Sequence, residues 1–247
     1  VAAEITLLFS GLPASADKFA FGMTTVALLR VEGRIVVFDT GPYAYRPILL
    51  NRLRRLGVEP AEVDTVILSH LHWDSASNAD IFSKADIVVH ERELAYAGAP
   101  DSRDRSVPGY IGRAIRKLRL KTVSGETELA PGLRILELPG HTPGSIGLLS
   151  EDVLLAGDAV TCAKDAVAKT PSAFCVDPAQ AARSLTRALE ARIVYPGHDR
   201  PFFVGPPVAY VSDYTLRIRL FFDPAGQDEE LRFGGAAAKS FATWPDD

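Results

Sequence analysis

Two imidazoles and a carboxylate alternate in the stretch SHLHWDSASN, where His70, His72 and Asp74 follow directly on the apolar run TVILS. Residues i, i+2 and i+4 of an extended chain share a face. These three side chains can therefore aim at one point if extension continues past His70. Neutral imidazole and carboxylate are the nitrogen and oxygen donors that divalent metals take. The chain has only 5 histidines, and their distribution is uneven. His141 lies in ELPGHTPGS after LRILEL, His198 in VYPGHDRP after ARIVY, and Asp158 in LLAGDAV after DVLLA. Each stands just past the end of an expected strand. A lone histidine at such a place is more often a hydrogen-bonded surface residue than a ligand. The ordered set of H-x-H-x-D, PGHTPGS, AGD and PGHD predicts a metal site. His90, in VVHERE, is read instead as a structural residue at a strand-to-helix junction.

Short apolar runs mark the strands that would carry these residues: EITLLF, TTVALLRV, RIVVFDT, TVILSH, DIVVHE, LRILEL, SIGLLS, DVLLAGD and ARIVYPG. Helical spacing appears over Arg46–Leu56, with Ile48, Leu49, Leu53 and Leu56 in phase and Gly57 as a stop. Asp177-Pro178 reads as an N-cap with proline at the first helical position, opening a helix over Ala179–Ala191 whose apolar face is Ala182, Leu185 and Leu189. A basic helix is expected over Gly109–Leu120, and a short one near Ser212–Phe222. Strand clusters mixed with helices point to layers, with helices outside two sheets.

Composition narrows the function classes. The chain has 247 residues, 47% of them hydrophobic and 23% charged, enough for a sizeable core. A net charge of −4 argues against a nucleic-acid surface. The 2 cysteines, Cys162 and Cys175, form neither a disulfide framework nor a Cys-x-x-Cys pair. No stretch is long and apolar enough to span a bilayer, and VAAEITLLFSGLP lacks the features of a signal peptide. The expectation is a cytoplasmic protein with no nucleic-acid or membrane partner, with homodimer formation left open.

The order of motifs resembles the metallo-β-lactamase superfamily, from about Ile5 to Phe203. The resemblance implies an α/β fold, an αββα four-layer sandwich with its site at one edge between the sheets. The turn at Asp39–Gly41 resembles the family's DTG, and Asp39 would brace the ligand loops. Position by position, His70, His72 and His141 resemble the first-metal ligands, Asp158 the bridging carboxylate, and Asp74 and His198 the second-metal ligands. The family motif continues with histidine where this chain has Ser75. A hydroxyl is a poor ligand beside imidazole, so the expectation is two zinc ions with the second held more weakly. One ion is the alternative, as are iron or manganese in place of zinc.

The implied activity is hydrolysis of a small-molecule acyl bond: lactone, ester, thioester or cyclic amide. Coordination lowers the pKa of water to about 7 and so supplies a metal-bound hydroxide at neutral pH. Asp74 would orient it and pass a proton to the leaving group. SHLHWD and PGHTPGS resemble the small acyl-homoserine lactonases, but those carry tyrosine three residues after the bridging aspartate, where this chain has Thr161. Two other readings remain: a mononuclear iron dioxygenase of the persulfide-oxidising type, and a non-catalytic binding protein on a degenerate site. The whole chain, 1–247, is read as one domain, with a candidate lid at 101–121 and a surface extension at 205–247. The segment 101–121 is read either as an ordinary amphipathic helix whose charges face water, or as a helix from which one or two arginines reach over the metals. In the second reading those arginines, with Arg103, Arg105 and Arg113 the ones to test, clamp the carboxylate of an anionic substrate.

Overall fold

The computed structural model describes residues 2–12 and 23–212, and the backbone alone of the strands at 214–221, 228–235 and 240–241. A 6-stranded sheet runs in the order β1 (Glu4–Phe9), β2 (Val26–Val31), β3 (Arg34–Phe38), β4 (Thr65–Ile67), β5 (Asp86–His90) and β6 (Leu120–Val123). β1 to β3 form an antiparallel meander, and β3 to β6 are parallel. The central strands of the second, 8-stranded sheet are β8 (Leu133–Glu137), β9 (Ile146–Ser150), β10 (Val153–Gly157) and β11 (Ile193–Pro196). β7 (Thr127–Ala130) closes one edge; β12 (Phe202–Phe203), β13 (Val208–Tyr210) and β16 (Ser240–Phe241) extend the other.

Alternation along the strands builds the layers. Ala27, Leu29, Val31, Val36, Phe38, Ile67 and Val88 face inward and meet Leu133, Ile135, Ile146, Leu148 and Leu155 of the second sheet. Their neighbours Leu28, Val37, Val66, Ile87 and Val89 face outward, against α1 (Arg46–Arg55), α3 (Glu91–Tyr96) and α4 (Ile111–Ile115). On the far side Leu136, Leu154, Ala156 and Val194 pack against α5 (Ala163–Ala168) and α6 (Pro178–Ala188). Strands covered on both faces read as continuous apolar runs, which is why they stand out in the sequence. The result is the expected four-layer αββα sandwich.

Several expectations are corrected in detail. α1 buries Leu49 and Leu53, while Ile48 and Leu56 are exposed. α6 ends at Ala188 and buries Ala181, Ser184, Leu185 and Ala188; Ala182 faces solvent. The basic helix shrinks to α4, because Leu120 opens β6 instead. Ile111 and Ile115 are in the core and Tyr110 is exposed. The helix expected near Ser212–Phe222 is a strand, β14 (Tyr214–Phe221), paired with β15 (Asp228–Gly235). Leu216, Ile218 and Leu220 alternate with Arg217 and Arg219, a period of two that belongs to a strand. Asp213 and Phe222 flank it outside the described residues.

Candidate metal centre

All six ligand candidates come from the segments that follow strand ends, five from loops and Asp74 from the helix α2 (Trp73–Ala76). Past β4 the chain bends at Ser69 and is extended at His72, then turns into α2, with His72 at its N-cap. The amides of Ser75 and Ala76 bond the His72 carbonyl at 3.2 and 3.1 Å. Asp74 therefore enters through the first turn of a helix, not along one extended face with the two histidines. His141 follows β8, Asp158 follows β10, and His198 follows β11. A direct bond between the sheets, from Ile146 N to the Ser69 carbonyl at 2.9 Å, joins the two loop systems beside His70.

Three imidazoles meet in a buried cluster. The ring centroids of His70, His72 and His141 are 4.5 to 4.9 Å apart. One ring nitrogen from each lies within 4.8 Å of the others, a group that can hold a metal ion. Asp158 Oδ2 is 3.4 Å from His141 Nε2 and 3.3 Å from His198 Nε2, and Asp74 Oδ2 is 3.5 Å from His198 Nε2. The structure thus brings all six residues together. His198 and Asp74 form the more open half, with side chains 18% and 15% exposed.

Hydrogen bonds fix which nitrogen of each imidazole is free. Ser69 Oγ is 2.7 Å from Asp39 Oδ2 and 2.8 Å from His70 Nδ1, so it donates to the carboxylate and accepts the Nδ1 proton. His70 Nε2 is left buried and without a hydrogen-bond partner. His72 donates through Nε2 to Asp104 Oδ2 at 2.9 Å and His141 through Nδ1 to the Phe174 carbonyl at 2.9 Å, so the nitrogens that remain, His72 Nδ1 and His141 Nε2, face each other at 3.1 Å. This tautomer control by the remote nitrogen is what a ligating histidine needs. Asp158 Oδ1 is a second buried atom without a partner. Two orphaned donor-set atoms beside three oriented imidazoles fit a divalent ion.

Burial and charge pull the imidazoles in different directions. Burial would lower His72, but its bond to Asp104 and the nearby carboxylates outweigh burial and raise it above the ordinary range. Burial, reinforced by His72, holds His70 well below the ordinary imidazole range, and burial lowers His141. Burial would also lower His198, but the Asp158 and Asp74 carboxylates outweigh it and push that imidazole up to about 9. Burial opposes ionisation of Asp158, yet His198 and His141 hold its carboxyl well below the usual range.

The supporting residues were only partly foreseen. Asp39 accepts from Ser69 N and Oγ, both at 2.7 Å, which is the bracing expected of it. His90 caps α3 by accepting from Arg92 N and bonds Glu137, as a structural residue would. Asp104 and Glu93 were missed. Gly197 makes room at the site, since a Cβ there would lie 2.0 Å from Asp158 Oδ1. Ser75 is fully buried with its hydroxyl unpartnered. Thr161 supports His198 through its backbone carbonyl, bonded by His198 N at 2.8 Å. At the rim Trp73 and Phe174 are exposed, and Arg103 lies 5.8 Å from the Phe174 ring while bound to Asp101.

Residues 20–198 match the metallo-beta-lactamase superfamily, and the chain belongs to it. It is similar to an N-acyl homoserine lactonase of a Bacillus species, at 34% identity over 162 residues, covering 61% of this chain and 62% of that protein. The chain thus spans about three-fifths of the length of the curated relatives it matches. A solved quorum-quenching N-acyl homoserine lactone lactonase superposes with a TM-score of 0.62 and 25% identity, over 80% of this chain and 89% of the other. A solved N-acyl homoserine lactone hydrolase, with the product N-hexanoyl-L-homoserine at its catalytic metal centre, shares the fold at 24% identity and a TM-score of 0.62, over 80% and 90% of the two chains. Among the described residues of this chain no helix is long and apolar enough to cross a membrane.

Proposed function

We propose that this chain hydrolyses a small-molecule lactone, with N-acyl homoserine lactones as the leading substrate class and linear esters, thioesters and cyclic amides as related acyl substrates. The observation that carries the reading is the convergence of His70, His72 and His141 beside Asp158, with Asp74 and His198 across from it. In this reading His70 Nε2, His72 Nδ1 and His141 Nε2 hold one zinc ion. Asp158, with Asp74 and His198, would hold a second, weaker ion.

When bound, the ions supply a Lewis acid that activates water and polarises the carbonyl. The residues of the chain do the rest. Asp74, in the more open half, accepts the proton of the attacking water and returns it to the leaving ring oxygen. One water is consumed, the acyl C–O bond breaks, and a hydroxy acid leaves. Trp73 stands next to Asp74, the Phe174 carbonyl accepts from His141 Nδ1, and both side chains are exposed. They support an acyl chain as the group bound at the rim. The test is elemental analysis of protein purified without chelator, followed by a panel of lactones, thioesters and amides. Zinc above one equivalent with lactones turned over fastest is expected. Iron at one equivalent without hydrolysis overturns the reading in favour of oxygenase chemistry.

A further inference from the structure

Glu93 lies in α3 and is fully buried, yet it is none of the ligand candidates. Its Oε1 accepts from Leu71 N at 2.9 Å, the amide between His70 and His72. Its Oε2 accepts from Thr142 Oγ1 at 2.7 Å and from Gly144 N at 3.1 Å, just after His141. One carboxylate therefore ties together two loops that leave different sheets, one after β4 and the other after β8.

A separate observation places the same loop on the same helix. A Cβ at Gly144 would lie 2.3 Å from Glu93 N and 2.6 Å from Glu93 Cβ. The His141 loop packs on the α3 backbone with no side chain between them. One helical turn after Glu93, Tyr96 donates to Asp104 Oδ2 at 2.8 Å, the oxygen that takes the His72 Nε2 proton. α3 therefore reaches His72 by a second route.

We infer that Glu93 is a positioning residue for the histidine cluster, and that α3 is the common mount on which His72 and His141 are set relative to each other. The inference rests on the reading of His70, His72 and His141 as metal ligands. A carboxylate removed from water is costly unless every lone pair is used, and Glu93 uses both oxygens on the two ligand loops. Glu93→Gln keeps the acceptor for Leu71 N but turns an amide N–H toward Gly144 N–H, donor against donor. The His141 loop must then shift, and ligand placement with it.

The experiment is zinc titration against a competing chelator on metal-stripped protein, well below the melting temperature, with the melting temperature of the metal-free form measured alongside. Four chains are compared: the natural sequence, Glu93→Gln, Thr142→Val and His72→Ala. Thr142→Val removes the hydroxyl bonded to Glu93 and to Ser145 Oγ, and decides the matter if Glu93→Gln does not fold. The expected result is a loss of zinc affinity of about 10- to 100-fold in Glu93→Gln, the usual effect of removing a support behind a ligand, and a smaller loss in Thr142→Val. Folded variants that melt earlier but bind zinc as the natural chain does would make Glu93 scaffold alone and overturn the inference. Wild-type affinity in His72→Ala would instead overturn the ligand reading beneath it.

Discussion

Asp104 Oδ2 accepts from His72 Nε2 at 2.9 Å and from Tyr96 at 2.8 Å, while Asp104 Oδ1 takes Ser106 N at 3.0 Å. The Ser106 carbonyl in turn accepts from Trp73 N at 3.0 Å. The loop at 101–106 therefore grips the His72–Asp74 turn from outside. Asp104→Ala leaves the buried His72 N–H without its acceptor, at a cost of about 1–3 kcal/mol. Chemical denaturation should show that loss, and the imidazole, no longer held in one tautomer, should bind zinc more weakly. Unchanged stability would mean that the His72–Asp104 contact is replaced without cost.

Asp74→Asn keeps the size of the side chain and removes its basicity. Turnover should fall by about two orders of magnitude or more, the usual scale of an acid–base contribution, with the fold retained by circular dichroism. Near-normal turnover at full metal content would remove Asp74 from the proton-transfer role.

Ser75 is fully buried in α2, beside Asp74. Ser75→His should tighten binding of the second ion in a chelator competition. Placing an imidazole in that filled position should also destabilise the metal-free protein by about 1–3 kcal/mol. The same destabilisation with no gain in affinity would show that position 75 does not reach the second ion.

Gly197→Ala drives a methyl group into the space of Asp158 Oδ1, which lies 2.0 Å from the ideal Cβ. Backbone on both sides limits relief, because Gly197 N bonds the Val160 carbonyl at 2.9 Å and the Gly197 carbonyl accepts Thr25 N at 2.7 Å. Metal content of the purified variant should drop below that of the natural chain. Full metal content with full activity would show that Asp158 can move without consequence.

The basic segment gives a narrower expectation than its sequence implied. Arg119 pairs with Asp86 at the start of β5, at the strand end opposite the histidines. Arg103 is placed near Phe174, its guanidinium held by Asp101 through two hydrogen bonds of 3.0 and 2.7 Å. Asp101 occupies one edge of the guanidinium, and the remaining N–H donors are those an anionic substrate would use. Arg103→Gln should raise KM for an acidic substrate and leave KM for its neutral ester unchanged. An equal response of both substrates would make Arg103 part of the loop's own structure.

The ligand candidates were legible because metal chemistry restricts residue type, and because His70, His72, His141, Asp158 and His198 each follow an apolar strand. The sandwich was legible because strands buried on both faces are long apolar runs. What escaped depends on distance across the fold. Asp104 looks like one charge among many in DSRDRS, and nothing nearby in the sequence reveals that it meets His72. Glu93 left a fainter mark: it shares a helical face with Tyr96 and Ala97, both buried. A carboxylate on such a face needs buried partners, though their identity lies some 22 and 49 positions away, at Leu71 and Thr142. β14 carries the alternation of a strand, with Leu216, Ile218 and Leu220 set around Arg217 and Arg219.

The central claim, metal-dependent opening of a lactone by this site, is tested most directly by following acid release from N-hexanoyl homoserine lactone. The protein is assayed as purified, after metal stripping, and after zinc is returned. The account predicts steady acid release that stops on stripping and returns with zinc. Acid release that persists in fully stripped protein, or zinc bound at the site with no lactone opened at any concentration, would contradict it.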